Sequence, residues 1–346
     1  MNAHSAGFTV TLDGRDLTSV IDPRLMRLSI RECRADEADT LDLVLDDSDG
    51  MLEIPKRGAV LSVAIGWSGQ ALVPKGSFTV NEVEHAGTPD TITVRARSAS
   101  MTKGMGQRQE KSWHDQTIGD MVRTIAGRHQ LTPKVGDQLG KIKIPHIDQT
   151  HESDMSFLTR LARRYDAVMT VKEGNLLFLP IGQGLTMSGQ ELPAIELTRR
   201  DGDRHRYHIS ERENYSAVRA YWHSNGEKKR HTVVVGGEDN HNVKVLPENY
   251  ASQAEAEAAA TAEFERTRRS QATLNYTLAM GEPALRPEVP VAVSGFKPEI
   301  DDTDWLVQLV THTLDDSGGY TCDLELEVMD DPVTKRHRSN FRKGGN

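Results

Sequence analysis

Apolar residues recurring at every second position dominate both ends of this chain, and a two-residue period commits a segment to strands with one buried face. Phe8, Val10 and Leu12 alternate with Thr9 and Thr11 ahead of an Asp13-Gly14 turn, Leu41, Leu43 and Leu45 alternate with Asp42, Val44 and Asp46, and Ile92, Val94 and Ala96 do the same within Thr91 to Arg97. Val60 to Trp67 is more continuously apolar. Towards the other end Tyr320, Cys322, Leu324, Leu326 and Val328 alternate with Thr321, Asp323, Glu325 and Glu327. This predicts a half-buried strand with an acidic outer face, paired in a hairpin with Trp305 to Leu314 across Asp315-Asp316-Ser317-Gly318-Gly319. Strands spaced by Gly, Pro and Asp turns over residues 8–100 point to a small barrel or sandwich.

Helical spacing replaces the alternation near residue 113. Ile118, Met121, Val122, Ile125 and Ala126 fall on one face of Thr117 to Leu131, with Asp115 or Gln116 expected near the cap and Pro133 beyond the end. A second helix is expected to start at Ser153 or Asp154, setting Phe157, Leu158, Leu161 and Ala162 opposite Arg160, Arg163 and Arg164. Strand-like Ala167 to Val171 and Leu176 to Leu179 follow, joined by Glu173-Gly174-Asn175. From about residue 205 the β character returns. Ala217 to Ser224 and Glu227 to Val235 flank Asn225-Gly226, a hairpin signal because both residues tolerate positive φ. Ser252 to Arg269 reads as one further helix, with Ser252 and Glu255 at capping-box spacing. The layout predicts a mixed, mainly β (α+β) fold: a β-barrel-like domain over residues 1–110, a central α/β insertion over 111–200, a second β-rich barrel-like domain with one helix over 201–334, and a basic flexible tail over 335–346.

The 346 residues suit two or three domains. The longest apolar runs, such as Val233 to Val235 and Ala258 to Ala260, fall far short of the roughly 20 residues of a bilayer-crossing helix, so no membrane association is expected. The first residues lack a basic cluster followed by an apolar core, and cytoplasmic synthesis is the expectation. Five Lys or Arg and no acid occupy the last twelve residues of a chain with net charge −9, so the remainder carries −14. Such a body repels phosphate backbones, and any nucleic-acid binding would rest on the tail, which reads as a solvated terminus.

No pattern assembles into a catalytic, cofactor or metal site. His151-Glu152-Ser153-Asp154-Met155 has Met155 where a zinc helix needs its second His, and Asp46-Asp47-Ser48-Asp49-Gly50 sets Leu45 and Lys56 at calcium-ligand positions, leaving an acidic turn. Gly182-Gln183-Gly184 is followed by Met187 in place of the third glycine of a dinucleotide loop. His205, His208, His223, His231 and His241 concentrate in one region, but period two puts His205 and His208 on opposite faces. Glu152 with Asp154 has the composition of a glycosidase pair, although Asp154 is better used as a helix cap. Cys33 and Cys322 make neither a disulfide framework nor a zinc motif.

Several fragments in a shared order carry a resemblance. They are Glu37-Ala38-Asp39-Thr40-Leu41-Asp42-Leu43 with Asp46-Asp47, Pro55-Lys56-Arg57-Gly58 leading into Val63-Ala64-Ile65-Gly66, and Gly76 to Glu84. Trp113 then precedes Thr117-Ile118-Gly119-Asp120, and Gln149 to Ala162 enters the central helix. Taken together, the chain resembles the phage late control gene D family, the baseplate hub proteins of contractile-tailed phages. The resemblance implies a homotrimer whose subunits each give two barrel-like tube domains, so that six similar units meet a hexameric tail tube and a threefold central spike. It also implies a tape-measure protein as neighbour, a place in the virion's tail baseplate, a lumen through which DNA passes without specific binding, and no enzymatic activity or cofactor. The competing expectations are a nucleic-acid-binding regulator of late transcription and a cell-wall-degrading hub. The first lacks a basic helix-turn-helix and the second an inserted domain of suitable length.

Overall fold

The structure, a computed structural model, describes residues 5–34, 38–98, 104–172, 174–182, 192–209, 215–223, 229–237, 242–315 and 319–329. The Asn225-Gly226 turn, Glu173, Gln183 to Met187, Asp316 to Gly318, His241 and the basic tail fall outside them.

The first strands are β1 (Ala6–Leu12), β2 (Arg15–Asp16), β3 (Leu25–Cys33), β4 (Thr40–Asp46), β5 (Val60–Trp67), β6 (Val73–Ala86) and β7 (Thr91–Ser98), with a short helix α1 (Thr18–Ile21) after β2. The two-residue period decides which face is covered. Leu28 and Ile30, then Leu41, Leu43 and Leu45, then Ile92, Val94 and Ala96 are buried in alternation. Val60 to Trp67, despite its continuous apolar run, also alternates, with Leu61, Val63 and Ile65 inward.

The central segment holds β8 (Arg108–Thr117), α2 (Ile118–Arg128), β9 (Thr132–Val135), α3 (Asp137–Lys141), β10 (Lys143–Ser153), α4 (Asp154–Arg164), β11 (Ala167–Lys172) and β12 (Asn175–Pro180). α2 and α4 bury the apolar positions expected of them in a core of their own around Trp113, Phe157 and Phe178. One cap differs from expectation, and at the other one of the two expected candidates is used. The Asp120 amide donates to the Thr117 hydroxyl at 3.1 Å, so Thr117 caps α2, while Asp115 and Gln116 extend β8. Ser153, whose hydroxyl accepts from the Ser156 amide at 3.1 Å, caps α4, which releases Asp154 for another role. The antiparallel ribbon of β8 with β10 has no clear period in the sequence and was not expected.

The remaining elements are β13 (Ile195–Thr198), β14 (Gly202–Ile209), β15 (Ala217–His223), β16 (Arg230–Gly236), β17 (Val243–Tyr250), α5 (Gln253–Arg269), β18 (Ala272–Leu278), β19 (Pro290–Ser294), α6 (Pro298–Asp301), β20 (Trp305–Asp315) and β21 (Gly319–Val328). β15 is flanked by β16 and β17, and α5 covers this small sheet through Val218, Ala220, Ala256 and Ala260. Ser252 caps α5 by accepting from the Glu255 amide at 3.2 Å, but the Glu255 carboxylate meets Arg164 of α4 at 2.8 Å rather than returning to the cap.

β3 pairs antiparallel with β20, Ile30 facing His312 and Leu28 facing Leu314. Strands from both ends of the chain thereby form one thirteen-stranded sheet, running β14-β18-β21-β20-β3-β4-β7-β6-β5-β1-β2, with β13 and β19 attached beside β20. Its apolar face is one continuous core from Val10 to Leu326. Each fully buried Leu, Ile or Val there contributes about 1.5–3 kcal/mol relative to exposure. The acidic face expected on β21 is only partly wet: Asp323 and Glu325 are exposed, whereas Glu327 is buried against Arg34 and Arg269.

Candidate functional site

A buried cluster of titratable side chains lies at the seam where β3 meets β20. Glu32 follows Leu28 and Ile30 on the covered face of β3, and His312 lies between Val310 and Leu314 on that of β20. Lys75 comes from β6. Opposite it the register slips, Gly76 facing Val63 and Pro74 facing Ala64, so Lys75 is the extra residue of a bulge that turns its side chain inward. Gly76, at φ 94°, supplies the left-handed backbone that this needs.

The lysine ammonium has three protons and three acceptors: Glu32 Oε2 at 2.7 Å, the Leu285 carbonyl at 3.0 Å and His312 Nε2 at 2.9 Å. Nε2 is therefore an acceptor and the imidazole is neutral, leaving Nδ1–H to donate to the Tyr320 hydroxyl at 2.9 Å. Burial pushes the His312 pKa below its usual value, in agreement with the neutral ring. Burial pushes the Glu32 carboxyl up, but the polar contacts around it, the Lys75 ammonium's charge and hydrogen bond among them, outweigh it and hold the group at about 2. Burial also raises Tyr320, and it pushes the Cys322 thiol up to about 12. The side chains of Lys75, Glu32 and His312 are 3%, 8% and 0% exposed. Groups able to do acid–base chemistry are thus spent on holding β3, β6 and β20 together.

A second buried cluster lies in the central unit. Asp154, at the first turn of α4, accepts from Gln149 at 2.9 Å and Arg128 at 3.1 Å and pairs with His129 at 2.8 Å. Burial raises its pKa, but the contacts of Gln149, His129 and Arg128 leave it below the usual carboxylate value. Lys111 sits 3.6 Å over the face of Trp113, whose indole also reaches Gln149. Glu152 is turned away towards Arg160 at 2.7 Å, so the sequence pair Glu152 and Asp154 does not converge.

The other sequence candidates separate. Asp49 grips Arg24 with both oxygens, Asp46 accepts from Ser48, and Asp47 accepts from the Leu52 amide at 3.0 Å, which makes 46–50 a hydrogen-bonded turn. His205 packs edge-on against Phe296, and His231 stacks on Trp222. Among the described residues no three His, Cys, Asp or Glu side chains are placed to hold a metal ion. Cys33 faces Leu309 and Cys322 faces His312 on opposite sides of β20, and no disulfide joins them. The Gly182 amide donates to Glu288 at 2.9 Å.

Lys75, Glu32 and His312 carry no sequence motif. Their signal is positional, since Glu32 and His312 interrupt otherwise apolar inward positions of alternating strands. Several surface residues stand out for the opposite reason. Met51 and Ile54 after β4 are 74% and 59% exposed, and Val234 and Val245 are about half exposed on β16 and β17.

Comparison with known proteins places these features. Residues 40–318 match the family model described as phage tail baseplate hub (GPD). The probable baseplate hub protein of Escherichia phage 186 is 44% identical over 360 residues, covering 93% of this chain and 92% of that protein. Its counterpart in Escherichia phage P2 is 43% identical over 368 residues, covering 93% and 95%. Among solved structures, the 43 kDa tail protein of prophage MuSo2 from Shewanella oneidensis superposes with a TM-score of 0.67 at 15% identity, covering 93% of this chain and 98% of that one.

Proposed function

This chain belongs to the phage tail baseplate hub (GPD) family, and from that premise we propose that three copies close into a collar joining the hexameric tail tube to the trimeric central spike. The observation that carries the reading is the β3–β20 pairing, which fuses a strand-rich segment from each end of the chain into one sheet. Each subunit then offers two β units, residues 1–110 and 201–334, flanking the central 111–200, and three subunits offer six. The exposed Met51, Ile54, Val234 and Val245 are apolar surface of the kind that assembly covers. The role is architectural, with the tube, spike and tape-measure proteins as partners and the basic 335–346 segment touching an acidic surface of one of the latter two.

Three chains of charge −9 sum to −27, and an acidic inner wall would let DNA pass without adhering. Light scattering, with projection images of the purified protein alone and with its spike, tests the proposal. A mass of three chains and a threefold ring are expected. A monomer under both conditions, or a ring with a basic inner wall, contradicts the respective part.

A further inference from the structure

The β8–β10 ribbon buries Trp113 and Ile147 on one face and leaves the other to solvent. On that open face His114 stands directly across from His146, and Ser112 stands across from Asp148. The Nδ1 atoms of His114 and His146 are 3.1 Å apart, whereas the ring centroids are 4.7 Å apart with planes 25° off parallel. Because the centroids stand farther apart than the nitrogens, the directions through the two Nδ1 atoms close on one another. Two nitrogens held at about 2.0–2.1 Å by one ion, in right-angled to tetrahedral geometry, lie about 2.9–3.4 Å apart. The imidazoles are thus already at the separation that a shared ion needs.

The far side of His146 is held as well. Its Nε2 lies 3.2 Å from Asp148 Oδ2, and the Ser112 hydroxyl donates to Asp148 Oδ1 at 2.6 Å. A carboxylate only accepts, so Nε2 carries the ring proton and Nδ1 keeps its lone pair. A carboxylate behind an imidazole in this way fixes the tautomer and orientation of metal-ligating histidines. His114 Nδ1–H donates to the His146 lone pair, and moving that proton to the His114 Nε2 frees a second ligand without any change of charge. Lys143, on the same strand as His146, is held by Asp115 at 3.4 Å.

We propose that His114 and His146 together bind a divalent transition-metal ion of the zinc and copper class, with water in the remaining coordination positions and Asp148 orienting His146. The ion ties β8 to β10 across the ribbon, and the half-exposed His146 and Asp148 leave it an open entry.

The test is calorimetric titration of the full chain, free of any affinity tag, with zinc chloride and with copper(II) chloride, beside thermal unfolding with and without each salt. One saturable site per chain and a rise in Tm are expected, which magnesium chloride does not reproduce. Paramagnetic resonance of the copper form should report two nitrogen ligands. Asp148→Asn should weaken binding about 10- to 100-fold, and His114→Gln and His146→Gln, which each remove a ligand outright, should weaken it more and abolish the Tm rise. Both histidines are exposed, so these variants should unfold at the parent temperature when no metal is added. His151→Gln, at an exposed imidazole paired with Glu110, should leave the affinity unchanged. No saturable site, or one that survives the loss of either imidazole, overturns the proposal, and unchanged affinity in Asp148→Asn overturns the role given to Asp148.

Discussion

Trp67 and Gly281 lie 214 positions apart, yet the Trp67 indole nitrogen donates to the Gly281 carbonyl at 3.0 Å. The Trp67 ring also packs 5.3 Å from that of Tyr320, and a Cβ at Gly281 would approach the Tyr320 ring to 2.5 Å. Gly281→Ala should therefore destabilise the chain by about 1–3 kcal/mol through overpacking. Urea unfolding of the variant checks this, with loss of the tryptophan fluorescence shift reporting on the seam.

Removing Lys75 leaves a buried carboxylate without its cation. Lys75→Met should cost about 3–5 kcal/mol, whereas adding Glu32→Gln to it should restore part of the loss, because an unpaired buried charge is worse than a neutral amide. Denaturant midpoints of the single and double variants decide the point, and equal midpoints would contradict the ion-pair account.

Acid should weaken the seam in two stages of the same sign. His312 is neutral when folded and its pKa is depressed, so the unfolded chain takes up more protons below the ordinary imidazole value of 6.5 and stability falls from there. Glu32 drops from 4.5 to about 2 on folding, so its contribution, about 3 kcal/mol, is present above pH 4.5 and lost as pH falls towards 2. Stability measured from pH 7 to 3 should fall throughout, and the Glu32→Gln, Lys75→Met double variant should lack the lower stage.

Asp154 is 0% exposed and gathers Gln149, Arg128 and His129. Asp154→Ala should destabilise the central unit by about 3–5 kcal/mol, since it strands the half-buried Arg128 and the buried Gln149 together. Hydrogen exchange should show the loss concentrated in α2, β10 and α4, leaving β3 and β20 protected.

Period two was legible wherever one face of a strand is covered and the other wet, as at Leu41, Leu43 and Leu45, and helical spacing was legible in α2, α4 and α5. The β8–β10 ribbon was not, because most of its side chains are polar and exposed and leave no contrast for a period to show. The Lys75 bulge was equally hidden: one residue inserted into a strand shifts which side chain points inward without altering composition. Thr117 rather than Asp115 caps α2 because β8 continues up to the helix, and pairing with β10 outweighs local cap preference. The Glu255 carboxylate likewise leaves its expected cap partner for Arg164, a residue 91 positions away that no local rule brings into view.

The β3–β20 pairing also bears on synthesis. β3 can pair with β4 as soon as both have emerged from the ribosome, but its other neighbour, β20, follows only after the central unit and α5 have been made. The central unit, built from contiguous sequence, is free to fold in the meantime, and the last step is a long-range zipper between the two termini. A chain cut short before β20 cannot present a finished sheet, so translational failures are kept from contributing defective subunits to an assembly.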